Sequence, residues 1–231
     1  MRQFMKILLA CLFGTAFAAS AQAAVVIHDY NVGRVITVQY RGYIDNDHGG
    51  KYLTPLITAL QTITFTGVSN GGKTYNFSVS TSNTSSVSSL LRSFAFDVET
   101  AKFKSASATG KFKQVYYNTA YPLNSGTRDV CFTVTSASCT THDGGLAKGT
   151  TATSTFSLTF KVAPVKVALD DFVAKLHTLN PRIDGETYSI AYGTASTATP
   201  ETATWVMMLL GFGAVGGAMR RRRELSPLQI A

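Results

Sequence analysis

The chain has 231 residues, with 21 Lys and Arg against 13 Asp and Glu, a formal charge of +8, three cysteines and one tryptophan. The excess charge sits at the ends: Arg2 and Lys6 open the chain, Arg220 to Arg223 come near its close, and residues 24–199 carry only about +4. That middle has no long basic run, so nucleic acid, which demands a concentrated basic patch, is not an expected partner.

Arg2 and Lys6 precede an apolar run from Ile7 to Ala18, and small residues follow as far as Ala21-Gln22-Ala23. These are the charged, apolar and cleavage regions of a secretory leader, so residues 1–23 read as a signal peptide. Signal peptidase would cut after Ala21-Gln22-Ala23 and leave a mature chain starting near Ala24. Export removes Cys11 and leaves Cys131 and Cys139 as an even pair in an oxidising compartment.

From residue 25 the pattern is that of strands. VVIHDYNVGRVITVQYRGYI (25–44) alternates and is rich in β-branched and aromatic residues, with a break near Asn31 to Gly33. DNDHGG (45–50) spaces Asp45, Asn46, Asp47 and Gly50 partly like a calcium loop. Gly49 stands where an oxygen ligand belongs and the distal glutamate is missing, so Asp45 and Asp47 are a weak calcium candidate and a turn explains them better. LITALQTITFTGV (56–68), Ser69-Asn70-Gly71-Gly72 and KTYNFSVS (73–80) make a hairpin. STSNTSSVSS (80–89) reads as an exposed polar loop. Further strands are expected over 87–98, 111–117, 130–135, 153–162 and 187–192. Lys102, Lys104, Lys111 and Lys113 alternate with Phe103 and Phe112, as on a strand that shows charge to water and aromatics to a core. CFTVTSASC (131–139) suggests a hairpin bent near Thr135-Ser136, with Cys131 and Cys139 within disulfide reach.

ALDDFVAKLHTLNP (168–181) leaves two readings open. Leu169, Phe172, Val173, Leu176 and Leu179 stand at helical spacing and Asn180-Pro181 would stop a helix, but a last strand fits as well. Taken together, the elements predict a mainly β domain over 24–193, a sandwich or jelly-roll. Small residues over 194–202 read as a linker.

Adjacent acid–base pairs offer little catalytic geometry. His28-Asp29 would point to opposite faces of a strand, His142-Asp143 precedes two glycines and reads as a turn, and Asp170-Asp171 cannot face each other across a substrate. No nucleophile elbow, metal-binding helix motif or phosphate loop occurs, so no catalytic residue, cofactor or metal is expected.

Ala203 to Met219 carries no charge and spans roughly 25 Å as a helix, slightly short of a hydrocarbon core of about 30 Å. Arg220, Arg221, Arg222 and Arg223 each cost roughly 2.5–3.5 kcal/mol at a bilayer centre, so they stop transfer. A single transmembrane helix over 203–219 and a basic cytoplasmic tail over 220–231 are therefore expected, with Trp205 at the outer boundary.

Pro200-Glu201, Trp205, the apolar span and the arginine cluster, in that order, resemble the PEP-CTERM sorting signal of Gram-negative bacteria. The likeness is to its Trp-containing subclass, found in sphingomonad-type alphaproteobacteria. Thr202 departs from the pattern, since the family has a second proline there. The resemblance implies an inner-membrane stage and processing by an exosortase-like membrane enzyme, followed by release to the cell surface or the extracellular space. It also implies an association with exopolysaccharide and biofilm matrix. The expected function is that of an exported, non-enzymatic surface protein. A carbohydrate-binding module or adhesin is the alternative, with Tyr116, Tyr117 and Tyr121 as candidate contacts, and an extracellular hydrolase ranks last.

Overall fold

The computed structural model describes residues 24–44, 51–52, 56–121, 126–136, 138–182, 185 and 187–197. The signal peptide, Asp45 and Asp47, and the whole of 198–231 lie outside them, and with these every residue of the sorting signal. Among the described residues no helix is long and apolar enough to cross a membrane.

Thirteen strands form one antiparallel sheet. They are β1 (Val25–His28), β2 (Val35–Ile44), β3 (Lys51–Tyr52), β4 (Thr58–Ser69), β5 (Thr74–Asn83), β6 (Ser88–Val98), β7 (Phe103–Gly110), β8 (Gln114–Ala120), β9 (Thr127–Thr133), β10 (Leu146–Ala147), β11 (Thr151–Phe160), β12 (Lys166–Asn180) and β13 (Tyr188–Thr197). Their order is β7-β11-β5-β4-β2-β13-β12-β6-β9-β8, with β1 on β12, β3 on β2 and β10 on β6. The sheet nearly closes on itself. At the seam, the Tyr117 hydroxyl on β8 donates to Ala106 O on β7 (2.9 Å) and accepts from Ala106 N (2.8 Å).

Alternation builds the core. On β5, Tyr75, Phe77 and Val79 are buried and the residues between them face outward. Phe77 stacks on Phe156 of β11 at 4.6 Å, and Phe156 meets Phe132 of β9 at 5.0 Å. Phe96 of β6 touches Phe156, Phe132 and Phe172. One aromatic cluster thus joins opposite halves of the sheet. Each buried Phe contributes roughly 1.5–3 kcal/mol of transfer free energy.

β12 resolves the open segment as a strand, and its bulges explain the helical look. One extra residue lies between Asp170 and Val173, paired with Asp97 and Ala95, and another between His177 and Asn180, paired with Leu90 and Ser88. Asp171 (φ 49°) and Thr178 (φ 56°) mark the two sites. A bulge lets two core residues sit three apart instead of two. Leu169 and Phe172 straddle the first, and Leu176 and Leu179 the second.

Other local expectations are corrected. Residues 80–83 belong to β5 and 88–89 to β6, leaving a short turn where a polar loop was expected. Asn83, the last residue of β5, is buried beside that turn, its amide donating to Ser89 O (3.1 Å) and Leu146 O (3.0 Å). Lys111 to Lys113 form a turn between β7 and β8, with Phe112 buried and both lysines exposed. β13 continues through Thr197, four residues into the stretch read as linker.

Candidate functional site

On β6 and β12 the alternation fails because both faces are covered: Leu91 to Phe96 and Phe172 to His177 are all buried. The inner face meets the main core. Over the outer face lies the loop after β9, residues 134–145, stapled by the Cys131–Cys139 disulfide at a sequence separation of 8. The expected hairpin is not formed: among the described residues the chain leaves β9 at Thr133 and has no further strand before β10 at Leu146. Both cysteines are buried among Ala95, Tyr121, Val173 and Ile190.

A loop with no ladder of its own must find donors for its buried carbonyls. The sheet supplies them from side chains. Arg92 donates to Ser138 O (2.7 Å), to Asp143 O, and to the Thr135 and Thr141 hydroxyls. Ser93 donates to Cys139 O (2.9 Å), Lys175 to Thr140 O, and His177 Nε2 to Gly144 O (2.7 Å). Because a carbonyl only accepts, Nε2 carries the proton, and Nδ1 takes the Thr178 hydroxyl at 2.7 Å.

Arg92 reaches this face through a bulge. Ser93 pairs with Lys175 and Leu91 with Leu176, so Arg92 is the extra residue on β6. Regular alternation would aim it into the apolar core; the bulge turns it outward beside Ser93. Its guanidinium is fully buried and meets Asp143 at 3.2 Å, a carboxylate that is itself 56% exposed. Among the described residues, Arg92 Nε has no partner.

Three bases thus hold the loop, and among the described residues Arg92 alone of them pairs with a carboxylate, Asp143. Burial, with Arg92 adding to it, lowers Lys175 to about 8. Burial also lowers His177 and His142, whose rings stand 5.9 Å apart. Hydrogen bonds from Thr141 and Thr135, then the Arg92 charge, lower Asp143. The Lys175 ammonium also lies 5.4 Å from the centre of the Tyr188 ring. Gly144 (φ 66°) allows the loop to turn; a Cβ there would stand 2.7 Å from Thr135 Cγ2.

Of the residues singled out from sequence, Cys131 and Cys139 are joined, and His142-Asp143 lies in a bend of the loop after β9. The His28 ring stacks on Tyr30 at 5.0 Å and its main-chain N–H donates to Asn31 Oδ1, which places His28-Asp29 at a turn far along the chain from the loop after β9. Asp170-Asp171 forms the first β12 bulge, where Asp171 N donates to Asp170 Oδ1 (2.8 Å). Tyr121 is buried, Tyr116 bonds Ser136 O, and Tyr117 closes the seam. Arg92, Lys175 and His177 were not singled out. Their signal was present as bases inside otherwise apolar runs, LLRSFAF and VAKLHTL.

No protein-family profile, curated protein or solved structure matches this chain.

Proposed function

We propose that this chain is an exported, non-enzymatic surface or extracellular protein, sorted through a PEP-CTERM-like signal and associated with exopolysaccharide or biofilm matrix. The observation that carries this reading is the order Pro200-Glu201, Trp205, apolar span and Arg220 to Arg223, behind a leader ending at Ala23. In this reading residues 203–219 span the inner membrane with the arginines inside, and an exosortase-like enzyme cleaves near Pro200. One feature of the fold supports the assignment. A disulfide within a buried cluster suits an oxidising compartment. For the fold itself we propose the finer class of sandwich or jelly-roll, a reading supported by the phenylalanine cluster that joins β5 and β11 to β6 and β9 inside the nearly closed sheet.

Intact-mass measurement tests the routing. In cells with exosortase the product should end near Pro200 and lack Trp205 to Arg223; deleting exosortase should leave a longer, membrane-bound form. A chain ending at Ala231 in both strains would make the segment an ordinary anchor, and Thr202, in place of the second proline, is where that outcome would originate.

A further inference from the structure

Arg41 is the only charged residue in β2, β4, β5, β11 and β13. It is exposed, and among the described residues it has no ion-pair partner. It borders an open concavity of about 310 Å³ on the outer face of β2 and β4. Gln39, Arg41, Thr58, Leu60 and Thr84 line it together with the buried Tyr40 and Ala59. Register sets Gln39 opposite Leu60 and Arg41 opposite Thr58, and the Thr58 and Thr84 hydroxyls bond each other at 2.9 Å. Beyond the concavity, Thr62, Ser80 and Thr153 are cross-strand partners on β4, β5 and β11, a row of hydroxyls spaced about 4.8 Å apart.

We propose that this groove binds an acidic sugar residue, a uronic acid within a polysaccharide chain. Among the described residues Arg41 is the one charged residue on these five strands, and its planar guanidinium fork matches a single carboxylate. Hydroxyls and an amide both donate and accept, which suits a ligand made of hydroxyl groups. Leu60 offers a small apolar floor for the C–H face of a sugar ring. The volume is at the low end of ligand sites, which run from about 300 to 1,000 Å³, so it fits one ring, while the hydroxyl row continues as a track for its neighbours. A polyphosphate ligand would need several cations in place of one. The proposal rests on the reading of this chain as an exported surface protein for where the ligand is met.

Calorimetric titration of the full exported chain with tetragalacturonate, and with cellotetraose as the neutral control, tests it. The acidic oligomer should bind at least about tenfold more tightly than the neutral one, and added salt should weaken it. Arg41→Gln should lower affinity at least about tenfold with an unchanged unfolding midpoint, because Arg41 is exposed. Leu60→Asp should abolish binding by placing a carboxylate in the groove. Equal binding of both oligomers, unchanged affinity in Arg41→Gln, or no binding by the wild-type chain would each overturn the site. A correctly processed chain that binds neither oligomer sinks the site and leaves the routing intact. A chain that binds but keeps Ala231 in both strains does the reverse.

Discussion

Replacing Lys175 with methionine isolates the energetic effect of a buried charge under the disulfide-stapled loop. The ammonium is buried and bonds a single carbonyl, Thr140 O. Burial, then Arg92, holds its pKa at about 8 against 10.5 for the free side chain. The folded value lies below the unfolded one, so between them the unfolded chain binds more protons and stability rises with pH. From pH 8 to pH 10 that rise amounts to about 2 kcal/mol. Met cannot titrate, so Lys175→Met should remove the rise. At pH 7 it removes one hydrogen bond and one desolvated charge, effects that offset each other to within about 1 kcal/mol. Urea unfolding with the disulfide oxidised, followed by far-UV circular dichroism at unit steps from pH 7 to pH 10, measures both quantities. The range stops at pH 10 because the Tyr121 and Tyr40 hydroxyls, raised by burial, lower stability above it. The same sign holds at the acid end: with His177 and His142 lowered by burial, stability should fall as the pH drops through 6.5. A wild type with no rise above pH 8, or a Met variant with the same rise, would refute the account.

Reducing the Cys131–Cys139 bridge should cost about 2–3 kcal/mol, the loop entropy for a separation of 8, read as a lower urea midpoint in reductant. Labelling of unfolded, unreduced exported protein should find no free thiol, and two reactive thiols would sink the bridge. Gly144→Ala should destabilise by about 1–2 kcal/mol through its positive φ, and by more if Thr135 cannot move, while leaving the far-UV spectrum unchanged.

Regular alternation made β2, β4, β5 and the closing part of β11 readable in the sequence, because one face is apolar and the other is rich in Ser and Thr. Bulges defeat that rule. In β12 they restart the period at Asp171 and Thr178, so a strand acquires helical spacing. In β6 a bulge moves Arg92 to the outer face, and nothing local distinguishes it from a residue at a strand end. The cysteine pairing was legible from spacing, whereas the path of the loop was not. Its carbonyls are held by side chains from β6 and β12, distant in sequence. Polar low complexity misled at 80–89 for a related reason: Asn83 is polar because it bonds main chain inside the fold.

Chain order gives the position of β13 a temporal meaning. It is the last strand of the sheet to be synthesised, yet it lies between β2 and β12. Until Thr197 has been added, β7-β11-β5-β4-β2 and β12-β6-β9-β8 lack the ladder that joins β2 to β12, and each has an unpaired inner edge inviting neighbouring chains. Late in synthesis, then, the sheet still lacks its joining strand, and β13 enters as a wedge between two pieces already present.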